Sequence, residues 1–442
     1  MPRRRRQKLP QEVFTTDVQG ISHEGRGIAT INEKTTFISN ALPTETVEFV
    51  YTVKNSRYAQ GKATQILKPS VERTQPECAY FGICGGCSLQ HMQHDTQLTL
   101  KQNTLLEQLK HFAKTTTDEI LPPLTGPTYN YRHKARLGVR YVYKKEAVLV
   151  GFREQQSRYL ADIDRCVILH PKIGNLITAL RKLVADLSIY EHIAQIEVAI
   201  GDQQAALIFR HLEPLTPVDE ARLIAFAKQQ QIIIFLQPNK PERLRKLFPK
   251  DDNMFLTYQH PTFNVTLWFH PTDFTQINPF INREMVKKAI AHLALTQNDT
   301  VLDLFCGLGN FTLPMSRLVK HVVGVEGSIE MVERAKMNAT RNNISNTNFF
   351  VADLSKNLTG EWVKQRYDKL LLDPARNGAL EILSYIPQWK PKRIVYISCN
   401  PATLARDTGE LCGLGYHLEK TGIIDMFPQT NHVESIAVFT EI

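Results

Sequence analysis

The fold of this 442-residue chain is decided by the stretch Val301-Leu-Asp303-Leu-Phe305-Cys-Gly307-Leu-Gly309-Asn310-Phe311. The stretch is typical of a buried strand with an acidic residue near its end, followed by a glycine turn that opens a helix. In a sheet with helices on both faces, a nucleotide-like ligand binds at such a turn. Thr312 stands where the third glycine of a dinucleotide-binding turn would be, so the stretch does not favour a dinucleotide.

Two further acidic residues follow the next two predicted strands. Residues 321–325 form an apolar run that ends at Glu326, and Asp353 follows the next run. A carboxylate at this distance from the glycine turn is placed to bind ribose hydroxyls. S-adenosylmethionine (AdoMet) has no pyrophosphate for a glycine loop to hold, so the set of acids favours AdoMet over a nicotinamide dinucleotide.

From residue 271 to the C-terminus, strand patterns alternate with helix patterns. Strands are predicted at 300–304, 322–325, 348–351, 369–372, 393–398, 417–424 and 433–440, and helices at 277–293, up to about 318, and at 329–342. Such alternation is typical of a mainly parallel, doubly wound sheet. We therefore predict an α/β domain over residues 271–442.

The first 270 residues show different secondary-structure patterns. Residues 1–10 are a basic tail that we expect to be flexible, and residues 11–69 contain five short strand patterns separated by glycines and turns. They predict a small barrel, a frequent nucleic-acid platform, although an extension that only packs on the rest would give the same pattern. Residues 70–270 combine hairpin and helix patterns and predict a central α+β domain.

Lysine and arginine outnumber aspartate and glutamate by 53 to 44, which gives a formal net charge of +9. This excess favours a polyanionic partner, most commonly nucleic acid, although a basic surface with no specific partner has the same composition. No run of about 18 apolar residues occurs, and no apolar segment follows the basic N-terminus. The sequence therefore argues against a membrane span and a secretory signal, and we expect a cytoplasmic protein.

Three of the seven cysteines form the motif Cys78-x5-Cys84-Gly-Gly-Cys87. Closely spaced thiols are typical of a multi-thiolate metal site, in which the two glycines let the backbone fold tightly. Four ligands are usual, and Cys166 is the best candidate for the fourth. The uneven spacing favours a [4Fe–4S] cluster over zinc, which accepts the same ligands but usually from paired Cys-x2-Cys motifs.

Two more motifs end strands of the predicted sheet, Asp373-Pro-Ala-Arg376 and Ser398-Cys399-Asn-Pro401. Because ligands bind at the carboxyl ends of parallel strands, Cys399 is placed to act as a nucleophile rather than as a buried core thiol. Cys306 and Cys412 keep the interpretation of core thiols. Glu434, at the start of the last strand, is either a solvated strand-end charge or, beside a catalytic thiol, a general base.

Taken in order, the motifs resemble those of the RNA uridine-5 methyltransferase family, and the resemblance extends over nearly the whole chain. The matching stretches are His23-Glu-Gly-Arg-Gly27, the Cys78/Cys84/Cys87 motif, Phe274-Thr-Gln276-Ile-Asn278, Asp303-Leu-Phe-Cys-Gly-Leu-Gly309, Asp373-Pro-Ala-Arg376, Ser398-Cys-Asn-Pro401 and His432-Val-Glu434. The presence of both the barrel and the cysteine motif favours the large-subunit ribosomal RNA branch of the family. Thr44 departs from the family pattern, because a glycine is expected there.

The resemblance implies a class I AdoMet-dependent methyltransferase domain with a Rossmann-like doubly wound sheet. It also implies an N-terminal TRAM barrel of the OB-like type and a central α+β domain that carries an Fe–S cluster. In this family pattern Cys399 is the nucleophile and Glu434 the general base. The ligands of the [4Fe–4S] cluster would be Cys78, Cys84, Cys87 and Cys166, and the contacts to AdoMet or its surroundings would come from Gln276, Phe305, Asn310, Glu326, Asp353 and Asp373.

The partner implied by the resemblance is 23S rRNA, with methylation at the uridine numbered 1939, and we expect a monomer. Two other classes of function stay open. An exocyclic-amine methyltransferase has an Asp-Pro-Pro-Tyr site that Asp373-Pro-Ala-Arg376 distantly resembles, but Arg376 is not the aromatic residue that this chemistry needs. A non-enzymatic Fe–S protein that binds RNA would share the cysteines and the charge. Methylation that survives Cys399→Ala would favour the first class, and absence of AdoMet binding would favour the second.

Overall fold

The computed structural model describes residues 12–238 and 244–442, and the predicted basic tail, residues 1–10, lies outside the described residues. The chain divides into two compact units. The first contains the described residues up to Lys101 together with Arg153–Ala161 and Gln429–Asn431. The second contains Gln102–Phe152, Asp162–Pro428 and His432–Ile442. The domain boundaries after residues 69 and 270 stay a prediction.

The first unit is built on a single sheet of short strands. In the described residues these are β1 (Phe14–Asp17), β2 (Gly20–Ile21), β3 (Gly27–Ile31), β4 (Lys34–Ser39), β5 (Thr46–Lys54) and β6 (Ala59–Lys68). Their order is β1-β5-β6-β4-β3-β2, and the β4–β6 pair is parallel. Buried and exposed residues alternate along β5, whose Val47 and Phe49 enter the apolar core. The five predicted strands are confirmed, whereas the two-residue β2 is too short to give a pattern.

The turn before β5 is held by a buried ion pair. Glu45 is fully buried, and its carboxylate accepts hydrogen bonds from the backbone N–H groups of Leu42 and Ser70 and from the Arg73 guanidinium (Nη2–Oε2 2.8 Å). Thr44 adopts a φ of +70°, in the left-handed region that favours glycine. The glycine expected at this position therefore has a conformational reason, and Thr44 adopts the conformation at a steric cost.

The second unit begins at Gln102, within the helix α1 (His94–Gln108), and continues with shorter elements. After α1 and a π-helical turn (Leu109–Ala113) come β7 (Glu119–Ile120), β8 (Lys134–Val142), β9 (Ala147–Gly151), α2 (Pro171–Gly174), α3 (Ile177–Ala185), β10 (Ile193–Ile200), β11 (Ala205–His211), α4 (Pro217–Gln230), β12 (Ile233–Pro238), β13 (Arg245–Phe248), β14 (Leu256–His260) and β15 (Val265–Phe269). One mixed sheet has the order β13-β12-β11-β10-β8-β9, and β14 and β15 form a hairpin. No helix in the described part of the chain is long and apolar enough to span a membrane.

The C-terminal part of the second unit forms the large sheet. Its elements are α5 (Pro279–Leu293), β16 (Thr300–Leu304), α6 (Thr312–Ser316), β17 (His321–Glu326), α7 (Ile329–Arg341), β18 (Thr347–Val351), β19 (Lys369–Leu372), α8 (Leu380–Leu383), α9 (Ile386–Trp389), β20 (Arg393–Ser398), α10 (Pro401–Gly413), β21 (Tyr416–Ile424) and β22 (Glu434–Glu441). The strand order is β18-β17-β16-β19-β20-β22-β21-β7. The predicted doubly wound α/β arrangement is confirmed.

Local sequence explains where the helices of this part begin. Asn278, Ser328 and Asn400 each accept a backbone N–H at the start of α5, α7 and α10. Pro279 and Pro401 follow two of these caps at the first helical position, where a missing N–H costs nothing. Ser328 and Asn400 lie two residues after the parallel strands β17 and β20, at one edge of the large sheet. The caps therefore fix the loops at that edge.

That edge is where the strands β16, β17, β19 and β20 end, because they run parallel. We call it the carboxyl edge. β22 lies between β20 and β21 and runs antiparallel to both, so its first residue, Glu434, lies at the same edge. Ser398 of β20 pairs with Ser435 of β22. The register therefore brings the neighbours of these two serines, Cys399 and Glu434, to adjacent strand ends.

A buried carboxylate fixes α10, the helix that follows Cys399. Asp407 is fully buried and accepts hydrogen bonds from the Tyr396 hydroxyl (2.6 Å), the Ala379 backbone N–H (2.7 Å) and the Arg406 guanidinium (2.8 Å). These contacts join α10 to β20 and to the loop after Asp373. The position of the Cys399 segment thus depends on one carboxylate.

We expect Asp407→Ala to lower the free energy of unfolding by about 2–4 kcal/mol, because it leaves three buried or half-buried donors without their acceptor. Urea unfolding followed by circular dichroism measures the change. The control is Glu410→Ala at an exposed position of the same helix, for which we expect a change below about 0.5 kcal/mol. Equal unfolding midpoints for the two variants would contradict this account of α10.

Candidate active site

The first part of the site lies at the end of β16. Asp303 is fully buried, and its Oδ2 accepts a hydrogen bond from the Thr312 hydroxyl (2.5 Å), while its Oδ1 has no hydrogen-bond partner in the described part of the chain. Burial raises the pKa of Asp303 to about 8. Thr312 therefore has a structural role that the sequence motif does not reveal, because its hydroxyl donates a hydrogen bond to a buried acid.

The glycine turn after Asp303 has an unusual backbone. Phe305, Gly307 and Gly309 adopt φ values of +64°, +55° and +94°. An aromatic residue in the left-handed region is an outlier that costs free energy, and such outliers concentrate at ligand sites and active sites. Phe305 is half buried, so part of its ring stays accessible at the carboxyl edge.

The acids of the next two strands have different environments. Glu326 accepts hydrogen bonds from the backbone N–H groups of Gly307 (3.1 Å) and Ser328 (3.0 Å), so it ties the glycine turn to the end of β17. Asp353 is exposed, and its carboxylate is engaged by Ser355 and Lys356. These two partners lower the pKa of Asp353 to about 2, which keeps it ionised. Both acids lie after strands at the carboxyl edge, as the sequence predicts.

Asn310 belongs to a polar network that the sequence analysis did not identify. Its Oδ1 lies 3.0 Å from the Tyr258 hydroxyl, 3.0 Å from His260 Nε2 and 3.0 Å from Asn282 Nδ2. Its Nδ2 donates to Asn282 Oδ1 (2.9 Å). The side-chain amide of Asn310 is thus engaged by protein groups. The available signal was a set of isolated polar residues within the apolar patterns of β14 and α5.

Gln276 and Phe274 lie in the segment between β15 and α5, before the Asn278 cap. Gln276 is half buried, and Phe274 is 70% exposed. An aromatic side chain this exposed is available for stacking on a ligand. The segment contributes the one predicted AdoMet contact that comes neither from a strand end of the large sheet nor from the glycine turn.

The second part of the site combines Cys399, Glu434 and Asp373. Cys399 is half buried after β20, and Glu434 is only 4% exposed at the start of β22. Asp373 follows β19, the neighbour of β20 in the large sheet. The structure therefore brings together the predicted nucleophile, the predicted base and an additional acid at one edge.

Burial determines the proton affinities of these groups. It raises the pKa of Cys399 to about 11, with further contributions from the charges of Glu434 and Asp373. It also raises the pKa of Glu434 to about 8 and that of Asp373 to about 7. The cysteine is thus a thiol in the resting protein, and the two carboxyl groups take up protons near neutral pH.

Arg376 is the cation of this group. Its charge lowers the pKa of both Cys399 and Glu434 against the effect of burial. Its guanidinium Nη2 lies 3.2 Å from His432 Nδ1, and its backbone carbonyl accepts a hydrogen bond from the Asn400 side chain. In the sequence, Arg376 and His432 stand out only as members of motifs, without a role of their own.

The predicted cluster ligands belong to both units. Cys78, Cys84 and Cys87 lie in the first unit and Cys166 in the second, and all four are half buried. Among residues 12–238 and 244–442, no group of three or more Cys, His, Asp or Glu side chains is arranged to hold a metal ion. The [4Fe–4S] cluster is thus not shown by the structure.

Comparison with known proteins gives matches over almost the whole chain. The sequence is 48% identical to the "23S rRNA (uracil(1939)-C(5))-methyltransferase RlmD" of Hahella chejuensis, over 99% of each chain. It is 49% identical to the protein of the same name from Francisella tularensis subsp. holarctica, over 98% of each.

Among solved structures, the chain is similar to the Pyrococcus abyssi tRNA (uracil-54, C5)-methyltransferase, which was solved in complex with S-adenosyl-L-homocysteine. The TM-score is 0.73 and the sequence identity 22%, with 97% of this chain and 100% of that chain covered. This likeness shows the class I AdoMet-dependent methyltransferase fold of the large sheet. The sequence model described as tRNA (Uracil-5-)-methyltransferase matches residues 93–441. With this match and two full-length relatives near half identity, the chain belongs to the tRNA (uracil-5-)-methyltransferase family.

Proposed function

We propose that this protein transfers a methyl group from AdoMet to C5 of a uridine in 23S rRNA, at the position that the names of its relatives number 1939. The observation that carries the proposal is that Cys399 and Glu434, the neighbours of the paired Ser398 and Ser435, lie at adjacent strand ends of the carboxyl edge. One group supplies the nucleophile and the other the base that a C5 substitution requires.

Uracil C5 is a poor nucleophile, so the reaction needs activation of the ring. The Cys399 thiolate adds to C6 of the uracil, and the electron density displaced by this addition makes C5 enolate-like. AdoMet supplies the electrophilic methyl group that C5 attacks. Glu434 then removes the C5 proton, the C5–C6 double bond forms again, and the Cys399 thiolate leaves. The target base must leave its stack to reach the thiol, and the exposed ring of Phe274 is available to support it.

The raised pKa values suit this sequence of steps. A carboxyl group with a pKa of about 8 is a stronger base than an ordinary glutamate, so Glu434 is matched to proton removal near neutral pH. The resting thiol, with a pKa of about 11, must lose its proton before it attacks. Asp373, whose charge contributes to that high pKa, accepts the thiol proton, and Glu434 stays unprotonated for the later removal of the C5 proton. Arg376 stabilises the negative charge that forms.

The residues around the glycine turn fit AdoMet. Two features at the end of β16 support this fit, the left-handed turn from Phe305 to Gly309 and the buried Asp303 carboxyl group, whose Oδ1 has no hydrogen-bond partner among the described residues. We assign the contacts with AdoMet or its surroundings to Gln276, Phe305, Asn310, Glu326, Asp353 and Asp373. For Asn310, whose amide is already engaged, the expected contribution is to shape the pocket wall.

We further assign RNA binding to the first unit, whose short strands fit the predicted OB-like TRAM barrel. The support is the net charge of +9 together with the basic residues of β6, Lys62 and Lys68. A cytoplasmic location and a monomeric state complete the proposal. Both agree with a protein that acts on ribosomal RNA.

We also propose that Cys78, Cys84, Cys87 and Cys166 hold a [4Fe–4S] cluster with a structural role. The support is the chemistry of the donors, since thiolates are the usual ligands of such clusters. The loop between the first three is tightly packed. A Cβ on Gly82 would lie 2.7 Å from Asn40 Nδ2, and one on Gly85 would lie 3.1 Å from the Arg153 carbonyl oxygen. Both glycines thus let this loop pack closely against its neighbours.

Protein purified without oxygen should contain about four iron atoms and four acid-labile sulfides per chain, because a [4Fe–4S] cluster has that composition. Metal analysis and sulfide determination measure this directly. Cys87→Ala should lose most of the iron, and the control Cys412→Ala, a half-buried thiol of α10, should keep it. One zinc per chain with no sulfide would contradict the assignment.

The roles of Cys399 and Glu434 separate in a trapping experiment. Cys399→Ala should form no covalent protein–RNA species, whereas Glu434→Gln should attack, accept the methyl group and then stall, because the thiol leaves only when the C5 proton does. Turnover of Glu434→Gln should fall by about 10²–10⁴-fold. Denaturing gel electrophoresis with methyl-labelled AdoMet detects the stalled adduct.

The controls for this experiment are Cys412→Ala and Glu441→Gln, the second at the far end of β22. Both should turn over like the parent protein and leave no adduct. Near-normal turnover of Glu434→Gln would return Glu434 to the interpretation of a strand-end charge. Methylation of RNA by Cys399→Ala would favour the exocyclic-amine chemistry instead.

A further inference from the structure

The first unit contains a cavity of about 170 Å³ that the proposed reaction does not use. Its polar and aromatic lining comes from Asn40, Thr64, Gln65, Arg73, Phe81 and His91. One wall is the second half of β6, and the opposite wall is formed by the segment from Arg73 to His91. All of these residues belong to the same unit.

The β6 wall is an open sheet edge. β6 runs to Lys68, but its parallel partner β4 ends at Ser39, opposite Lys62. Within the described residues, β6 beyond Lys62 pairs only with β5 on its other side. A sheet edge without a partner strand presents backbone donors and acceptors to whatever fills the neighbouring space. The cavity lies against this part of the edge.

His91 gives the cavity its most unusual feature. The side chain is 1% exposed, and neither ring nitrogen has a hydrogen-bond partner within the described chain. Buried polar groups are nearly always paired, and an unpaired one costs free energy unless a ligand satisfies it. The His91 ring also packs on Phe81, with ring centroids 5.2 Å apart. Phe81 thus packs on His91, and because it is only half buried, part of its side chain stays accessible from the cavity.

The interior of the cavity carries no net charge. Burial, reinforced by the Arg73 charge, lowers the pKa of His91 to about 3, so the imidazole is neutral at physiological pH. The Arg73 guanidinium is compensated by the buried Glu45 carboxylate. A neutral lining disfavours a phosphate. The volume is also below the roughly 300–1,000 Å³ of sites for drug-sized ligands, so one flat ring system fits better than a larger molecule.

The positive charges beside the cavity indicate which kind of molecule carries this ring system. Lys62 and Lys68 flank the cavity-lining stretch of β6 at both ends. The Lys62 ammonium donates to the Gly82 carbonyl, and Lys68 is exposed. Cations at the rim with a neutral interior suit a nucleotide whose phosphates stay outside while its base enters.

We propose that this cavity binds one unpaired nucleobase of the RNA substrate, at a nucleotide other than the methylated uridine. The base stacks on Phe81, and its edge forms hydrogen bonds with His91 and with the open edge of β6. This inference rests on the proposed RNA substrate. It adds, in the first unit, a base-recognition site besides the one that receives the target uridine. Recognition of splayed-out bases by aromatic side chains and hydrogen bonds is a general mode of sequence-specific RNA binding.

Two variants of the full-length protein test the site. His91→Phe keeps the ring and removes the two nitrogens, so it should raise the KM for a 23S rRNA fragment by about 3- to 10-fold. Thr64→Trp fills the cavity from the exposed face of β6 and should raise this KM by at least about 10-fold, because the base can no longer enter. In both variants kcat and the KM for AdoMet should stay unchanged. The matched control is Thr52→Trp, an exposed position of β5 that does not line the cavity.

A thermal melt separates this proposal from a purely structural role for His91. Removing two unpartnered buried nitrogens should leave the melting temperature of His91→Phe equal to or above that of the parent. A lower melting temperature with an unchanged KM for RNA would overturn the proposal. Equal KM values for Thr64→Trp and Thr52→Trp would also overturn it.

A scan of RNA fragments with single abasic sites identifies the base. At one position outside the target uridine, the abasic fragment should bind the parent protein more weakly than the intact fragment does. Thr64→Trp should bind the abasic and the intact fragment equally. If no position behaves in this way while the parent methylates the intact fragment normally, the cavity proposal fails and the proposed function stands. If the parent does not methylate the intact fragment at all, the proposed function itself fails.

Discussion

Removing carboxyl groups from water at the carboxyl edge costs free energy, and the chemistry of the candidate site depends on that cost. Asp303, Asp373 and Glu434 have pKa values of about 8, 7 and 8, all raised by burial. At pH values above the ordinary carboxyl pKa, the unfolded chain has lost these three protons, whereas the folded chain still holds them. The stability contributed by these three groups is complete below pH 4 or so and declines as the pH rises towards 8. The same desolvation that weakens the fold at high pH gives Glu434 its strength as a base.

The position of β22 turns this cost into a site. An antiparallel strand inserted between β20 and β21 begins where the parallel strands end, so Glu434 enters the edge beside Cys399. Asp407 holds α10 from behind and thereby fixes the loop on the other side of Cys399. Arg376 offsets part of the negative charge that the two acids and the thiolate would accumulate. Topology, one buried carboxylate and one cation therefore position a nucleophile and a base.

Much of this arrangement can be predicted from sequence, because apolar runs with acids at their ends have a definite meaning in a parallel sheet. The strand at residues 300–304 and the edge position of Cys399 follow from that rule. The insertion of β22 does not, because strand order depends on long-range pairing that no local pattern encodes. Thr312 also shows the limit of motif reasoning. The motif marks it only as a missing glycine, whereas its hydroxyl donates a hydrogen bond to Asp303.

The polar network of Asn310 and the cavity of His91 show a second limit. Tyr258, His260 and Asn282 converge on Asn310 from two separate elements, so their proximity arises only in three dimensions. His91 is one residue in a loop, and only the positions of its neighbours show that its ring nitrogens have no hydrogen-bond partner within residues 12–238 and 244–442. The cysteine motif shows the converse case. Its spacing predicts the chemistry of the ligands but not the coordinates of their sulfur atoms.

The central claim is that Cys399 bonds to C6 of a uracil and that release depends on loss of the C5 proton. A 23S rRNA fragment with 5-fluorouridine at the target position tests it most directly, because a base cannot remove fluorine from C5 after methyl transfer. The account predicts a stable adduct that contains one transferred methyl group and maps by mass spectrometry to the peptide with Cys399. The account would be contradicted by an adduct on another residue, or by no adduct with an RNA whose unmodified form is methylated.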